Sequence, residues 1–438
     1  MITLPQSGLL RPDLDGYNAA SNLEFNNKIK DLQRKGRRIY HFGFGQSPFP
    51  IPECFVNGVK KYAHRHEYVP VAGIPELRQP ILDFHKEYDN LAHFHPNSMV
   101  VGAGSKEILY LILNVFGGDI LLVSPSWTTY NPQCHLAGKQ VYLVPTYFED
   151  KFIPRPEVLE SVVTENCSKS AYKLLVLNSP NNPTGVVFRE KHLRELTEVC
   201  RKHHIIVVND EIYARLQFDG QHESLAHYYP EGTIVTSGLS KWASAGGWRM
   251  GYGLFPQALQ PIYKAVASGG SHTYTCAPVP MQHALIEAFE HKDQLRGYIT
   301  HCSKILHTVA KHTHSELVTA GAKAHVSEGG YYFMPDFGIL RKGLEQSGHI
   351  TGQDMCDAML EEADVALMPC DPFYLRPPGE LSTRFCYINF DGGPALERSY
   401  QLGPDCELDE QFLKEFCKPT LDGIQCLKKW MNRFDSVQ

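Results

Sequence analysis

The stretch T-I-V-T-S-G-L-S-K-W-A-S-A-G-G-W-R-M-G-Y, residues 233–252, decides how the rest of the chain is read. Its β-branched start, Thr233, Ile234, Val235 and Thr236, reads as a buried strand, and the Ser/Gly segment after it delivers Lys241 from the strand's end. Arg249 follows, bracketed by Gly246, Gly247 and Gly251, glycines that let the backbone pass close to another group. A lysine attacks a carbonyl only when neutral, and burial together with a nearby fixed positive charge depresses its pKa. On these residues alone, Lys241 and Arg249 read as a carbonyl-binding lysine and a phosphate clamp. The same residues also fit a surface loop with two solvated cations.

Two further apolar runs precede this one and end on unusual residues. Residues 173–177 run into N-S-P-N-N-P-T-G, whose turn-formers force a reversal and hold Asn182 between prolines. Residues 205–208 run into N-D-E-I-Y, which puts Asp210 at the strand mouth with Tyr213 just beyond. Ligands of a parallel α/β sheet bind at the carboxyl ends of its strands, so Asn182, Asp210 and Lys241 are expected to converge on one crevice. Earlier, Val101 enters G-A-G-S-K and a helix over 105–116 that is apolar nearly all round. A Gly-rich turn feeding a helix N-terminus is an anion site, here with Gly104 and the hydroxyl of Ser105; many such turns only cap their helix. Trp127, in S-P-S-W-T-T-Y, reads either as a core tryptophan or as a surface on which a flat ring stacks.

Strands alternate with helical stretches from about residue 40 to 317, with strands expected at 99–101, 120–123, 141–144, 173–177, 205–208 and 233–236. That pattern predicts an α/β fold with a largely parallel sheet. A helix is expected over 22–35 and a strand over 39–44. Beyond 318 the pattern turns mixed: G-Y-Y-F-M-P-D-F, a helix over 354–362, V-A-L-M-P, R-F-C-Y-I-N-F and a closing amphipathic helix. The chain therefore divides into a large α/β domain over 61–317 and a smaller α+β domain built from 1–60 and 318–438.

At 438 residues, with 43% hydrophobic and 21% charged residues, the composition is that of an ordinary globular protein. A net charge of -6 is small for this size and argues against nucleic acid or a membrane surface as partner. No apolar run reaches membrane-spanning length, and residues 1–16 resemble neither a secretory nor a mitochondrial leader, so a cytoplasmic location is expected. The twelve cysteines form no C-x-x-C pair and suit reduced, buried thiols. Among the twenty-one histidines, His203-His204 and His64-x-His66 lack partners at ligand spacing, so no metal site is expected.

V-P-V-A-G-I-P-E-L-R, S-P-S-W-x-x-Y, S-P-N-N-P-T-G, N-D-E-I-Y, S-K-W-x-x-x-G-G-W-R-M-G-Y and R-F-C-Y occur in this order. Together they resemble the class I/II aminotransferases over about residues 40–390. The resemblance implies pyridoxal 5'-phosphate (PLP) as cofactor, the fold type I of PLP-dependent transferases, and a homodimer with shared active sites. Residue by residue, it makes Lys241 the lysine of the internal aldimine and Asp210 the partner of the ring nitrogen. Asn182 and Tyr213 would bond the ring oxygen and Trp127 would stack on the ring. Gly104, Ser105, Lys106 and Arg249 fall at the phosphate end, with Ser240 and Ser237 as weaker candidates. Tyr68 matches the tyrosine that reaches the neighbouring subunit's phosphate, Gly45 the backbone that meets substrate, and Arg384 the arginine that grips the α-carboxylate.

Some positions depart from the pattern. Gly238 stands where many members carry a phosphate-binding serine, and A-S-N at 20–22 lacks the serine/threonine pattern that helps seat a distal carboxylate in one aspartate aminotransferase subgroup. Lys106 nevertheless matches that subgroup's distal-carboxylate lysine. Segments 369–378 and 392–407 look long and are expected to reshape the pocket. The expected activity is transfer of an amino group between an L-amino acid, with an acidic or polar side chain, and a 2-oxo acid. A β-eliminating lyase, decarboxylase, racemase or aminocyclopropane-carboxylate synthase-like enzyme would keep the same anchors. A PLP-fold regulator would need a DNA-binding module, and none precedes the motifs.

Overall fold

The continuous apolar runs at 173–177 and 205–208 become strands buried on both faces, which is why they do not alternate. Leu174, Val176, Ile206 and Val208 pack on the helix Ser105–Val115 through Ile108 and Ile112. Leu175, Leu177, Ile205 and Val207 pack on the opposite side against Leu193 and Leu196 of the helix Glu190–Lys202. That helix buries positions 193, 196, 197 and 200, the i, i+3, i+4, i+7 stripe of an amphipathic helix. This computed structural model describes residues 11, 14, 20–168 and 172–435, so the 1–16 segment lies outside it apart from residues 11 and 14.

Strand β1 (Tyr40–His41) comes first, followed by β2 (Met99–Gly102), β3 (Asp119–Ser124), β4 (Val141–Pro145), β5 (Lys173–Asn178), β6 (Ile205–Asp210), β7 (Thr233–Gly238) and β8 (Gly251–Leu254). The last seven form one sheet in the order β2-β8-β7-β6-β5-β3-β4, parallel except that β8 is antiparallel to both its neighbours. The sequence reading missed β8, a short run with glycines at 251 and 253. These glycines are structural: a Cβ at Gly251 would stand 2.1 Å from the Ser105 backbone nitrogen, and one at Gly253 2.9 Å from Ile108. The turn before the Ser105–Val115 helix can thus lie directly on the sheet.

Later come β9 (Tyr332–Phe333), β10 (Val365–Ala366), β11 (Met368–Pro369) and β12 (Thr383–Cys386). β1 pairs in parallel with β10, while β11, β12 and β9 form an antiparallel three-stranded sheet. Phe42, Phe49 and Phe55 share one core with Phe385, Leu396 and Trp430, so segments from both parts of the chain meet there. The strand expected over 39–44 shortens to two residues because the carbonyls of Gly43 and Phe44 turn to Arg384 and Cys386 instead of a ladder. Most of the 392–407 segment is the helix Gly392–Leu402, capped by Asp391. No helix among the described residues is long and apolar enough to cross a membrane.

Candidate active site

Strands β5, β6 and β7 end at one cavity of about 450 Å³. Asn182 arrives from the turn after β5, Asp210 from the last position of β6, and Lys241 from just beyond β7. Asn178 fastens the first two. Its side-chain nitrogen donates to the Asp210 carbonyl at 2.8 Å, and its side-chain oxygen accepts the Asn182 N–H at 2.8 Å. The Asn182 Oδ1 is buried and has no partner.

Asp210 is 2% exposed. Tyr130 donates to its Oδ2 at 2.6 Å and Thr236 to its Oδ1 at 3.3 Å. Burial pushes its pKa up to about 6, against the hydrogen bonds from Tyr130, the Ile212 backbone and Thr236, which favour the carboxylate. Lys241 donates from Nζ to the Gly45 carbonyl at 2.7 Å, with the rings of Tyr213 and Tyr331 centred 5.4 and 5.7 Å away. Burial lowers its pKa to about 8, and Arg384 and Lys106 push in the same direction. The sequence reading looked to Arg249 for the fixed positive charge. The cations that act on Lys241 instead come from β12 and from the Ser105–Val115 helix. Tyr213 shares a hydrogen bond with Tyr332, hydroxyl to hydroxyl, at 2.8 Å.

At the other end of the cavity, Gly104 caps the Ser105–Val115 helix with φ +87°, and a Cβ there would meet the Arg249 guanidinium at 2.1 Å. Arg249 donates to the carbonyls of Gly246 at 2.7 Å and Ala103 at 3.1 Å. Ser105, Ser240 and Arg249 line this end together with the helix N-terminus, an arrangement suited to an oxyanion. The glycine at 238 has a structural reason, since a Cβ there would lie 2.7 Å from the Met250 carbonyl, so a serine would push β7 and β8 apart. Ser237, a weaker candidate, is not brought in; it is buried and turned toward the Glu211 carbonyl at 3.5 Å. Tyr68 is 86% exposed and does not line the cavity.

Arg384, 1% exposed, enters from β12. It donates to the Gly43 carbonyl at 2.5 Å, its guanidinium stands 4.7 Å from the Tyr332 ring, and its Nε has no partner. Gly45 must be glycine, because a Cβ would overlap the Tyr332 hydroxyl at 1.7 Å. Trp127 lines the cavity, and the Lys106 ammonium lies 5.0 Å above its ring. Burial, and then Arg249, lower the pKa of Lys106. Asn22 and Leu23 line the same region, and Asn22 Oδ1 is buried without a partner. The 20–22 segment that departs from the family pattern therefore does reach the site.

Sequence reasoning missed Asn178, Tyr130, Thr236, Tyr332 and Asn22. Tyr130 and Asn178 stood inside quoted motifs, where tyrosine and asparagine next to turns were the available signal. His85, Asp89 and Glu211 also went unseen; their ligand atoms lie within 4.8 Å of one another. Protein partners already occupy that cluster. His85 bonds Asp89 at 2.8 Å and the Tyr252 hydroxyl at 2.9 Å, and Arg215 supplies the cation on Asp89.

Comparison with known proteins agrees with this geometry. Residues 40–390 match the family model described as aminotransferase class I and II. The chain is 30% identical to the aspartate aminotransferase of Geobacillus stearothermophilus over 370 residues, 81% of this chain and 89% of that one. It is 30% identical to the aspartate/prephenate aminotransferase of Thermus thermophilus over 326 residues, 72% and 81% of the two chains. A solved structure of Thermus thermophilus aspartate aminotransferase with maleate superposes with a TM-score of 0.79 at 25% identity, covering 95% of this chain and 99% of that one.

Proposed function

Because this chain belongs to the class I and II aminotransferases, we propose that Lys241 is its cofactor-binding lysine and that its amino donors carry an acidic or polar side chain read by Lys106. The protein is a PLP-dependent transaminase of fold type I, acting on amino acids and 2-oxo acids.

The cavity fits that cofactor. Asp210 faces it as a buried carboxylate held by Tyr130, Asn182 lines it with a side-chain amide whose nitrogen is a donor, and the Gly104 turn lets the Arg249 guanidinium lie where a side chain would otherwise stand. Lys241 would hold the cofactor covalently, Asp210 its ring nitrogen, and Asn182 and Tyr213 its ring oxygen. Trp127 would cover its face, and Gly104, Ser105, Ser240 and Arg249 would take its phosphate. When bound, PLP supplies the electron sink that stabilises a carbanion at the Cα of the amino acid.

The residues of the chain do the rest. Asp210, whose carboxylate form is favoured by Tyr130 and Thr236, would favour a proton on the ring nitrogen it faces. Lys241, with a pKa near 8, is partly neutral at neutral pH, so its Nζ can take the Cα proton and return it. Arg384 fixes the α-carboxylate through its planar fork, and the Gly45 backbone lies alongside.

The observation behind the donor reading is Lys106. Its ammonium stands over the Trp127 ring in the cavity that Asn22 also lines, with no acidic partner among the described residues. A dicarboxylate such as the maleate held by the Thermus enzyme has the complementary charge. In Lys106→Ala, donors with acidic or polar side chains should lose several-fold to about a hundredfold in kcat/KM, on the order of 1 to 3 kcal/mol, while apolar donors change little. PLP should dissociate at the wild-type rate. Shedding of PLP with an unchanged donor ranking would place Lys106 on the phosphate and remove the acidic preference.

The same reading includes a homodimer, supported by the exposure of Tyr68 away from its own chain's cavity. It includes the division of the chain into 1–60 with 318–438 and 61–317. The twelve free thiols support a reducing, cytoplasmic setting.

A further inference from the structure

Loop 370–380 touches both sheets behind two residues that line the cavity, Trp127 and Arg384. On the side of the seven-stranded sheet, the Ser126 N–H donates to the Tyr374 carbonyl at 3.0 Å and the Ser124 hydroxyl to the Leu375 carbonyl at 2.7 Å. Arg376 reaches across as well, donating to the Thr146 carbonyl at 3.2 Å and to the Ser124 hydroxyl and carbonyl at 3.4 and 3.5 Å. Its remaining donors bond Glu380, with the closest contact at 2.8 Å. Ser124 ends β3, Thr146 follows β4, and Trp127 comes directly after Ser126. On the side of the three-stranded sheet, Tyr374 is fully buried with its ring 5.4 Å from the Arg384 guanidinium. It packs with Met334, Met368, Cys370 and Phe152, and Phe25 of the helix Ser21–Arg34 packs against that cluster.

Only 10% of the Arg376 side chain is exposed, and 19% of Glu380. A largely desolvated ion pair is costly unless every donor is used, and here Nε and both terminal nitrogens are used. Such an investment on a surface loop has a specific geometric result: the wall that carries Trp127 and the strand that carries Arg384 are held at one separation.

We propose that loop 370–380 is a strut, with Arg376 and Tyr374 as positioning residues that set Arg384 in place for the substrate α-carboxylate before any substrate binds. This rests on the reading of Arg384 as the carboxylate-binding arginine. Neither residue need touch cofactor or substrate; each acts through Arg384.

The test uses the PLP-loaded enzyme with Arg376→Met, Arg376→Lys and the milder Ser124→Ala. Arg376→Met should raise KM for every amino donor by about tenfold, as small misplacements of a binding group do, with a smaller change in kcat. Hydrogen exchange should speed up at Thr383–Cys386 and at 124–127, while PLP dissociates at the wild-type rate. Arg376→Lys should recover part of the loss, and Ser124→Ala should shift both readouts the same way by less. A KM rise confined to some donors, parallel loss of PLP, or unchanged exchange and KM would each overturn the strut. Arg384→Lys, measured alongside, separates the two ideas: if it leaves every KM unchanged, the reading of Arg384 fails and the strut fails with it. A uniform rise in Arg384→Lys with none in Arg376→Met sinks the strut alone.

Discussion

Asp210 and Arg384 are buried to nearly the same depth in one cavity, and the protein treats them in opposite ways. Asp210 accepts hydrogen bonds from Tyr130 and Thr236, both from the large sheet and its flanking segments. Arg384 meets a carbonyl, two tyrosine rings and no carboxylate among the described residues, and its Nε is unbonded. Lys106 shares this condition, with only an aromatic face beneath it. A buried cation without a counter-ion is unstable on its own, and on the proposed reading Arg384, together with the half-buried Lys106, is left for anions that arrive with the ligand. On that reading, the ring end is organised by the chain itself and the substrate end is completed by what binds.

The strongest test of this contrast is at the ring end. Lys241→Ala should abolish turnover yet still bind PLP non-covalently, because the contacts to phosphate and ring survive. Borohydride reduction of the wild-type enzyme followed by peptide mapping should find the cofactor on Lys241. A label on another lysine would refute the assignment. Next is Asp210→Asn, which should fold normally and slow the half-reaction by about 10²- to 10³-fold, the usual loss for one charge-assisted contact in a dry site. Rates near wild type would show that the pre-organised carboxylate is not what matters there.

At the substrate end, Arg384→Lys should cost about tenfold to a hundredfold in kcat/KM for every amino donor, since a point charge does not replace a bidentate fork. Should only certain donors suffer, Arg384 would be reading side chains, and the unpaired cation would belong to specificity. The smallest expected effect returns to Asp210 through its partner. Tyr130→Phe removes a donor that stabilises the carboxylate, so the Asp210 pKa should climb from about 6 in the cofactor-free protein. More of it is then protonated at a given pH. PLP affinity should fall by about tenfold at pH 6 and by less at pH 8, for a lost hydrogen bond to a charged group of about 1.5 kcal/mol. A loss that is independent of pH would mean that Tyr130 acts by packing alone.

The two ends also differ in how far they could be read from the sequence. Asn182, Asp210 and Lys241 stood out because each follows an unbroken apolar run and sits among turn-formers, both of which are local signals. The Gly104–Ser105 turn at the start of its helix was legible for the same reason, as glycine, serine and an apolar helix lie side by side in the chain. Missed entirely was β8, because its glycines carry no strand propensity and exist to let the Ser105 turn lie on the sheet. Nor did the sequence indicate that Asn22, within the 20–22 segment that lacks the serine/threonine pattern, lines the same cavity as Lys106. A pattern mismatch at the start of the helix Ser21–Arg34 says nothing about where that helix docks.

From sequence alone, an α/β protein with a mostly parallel sheet and its motif order were legible, and Lys241, Asp210 and Arg384, which line one cavity, could be nominated, because apolar period, turn chemistry and short motifs are written in neighbouring residues. Only the tertiary structure decided that Tyr130 donates to Asp210, that the Gly45 carbonyl accepts from Lys241, and that Arg384 faces Gly43 and Tyr374. Those contacts join segments as far as 341 residues apart. Their geometry is set by the joint packing of many side chains, each contributing weakly, and no local stretch of chain encodes that sum.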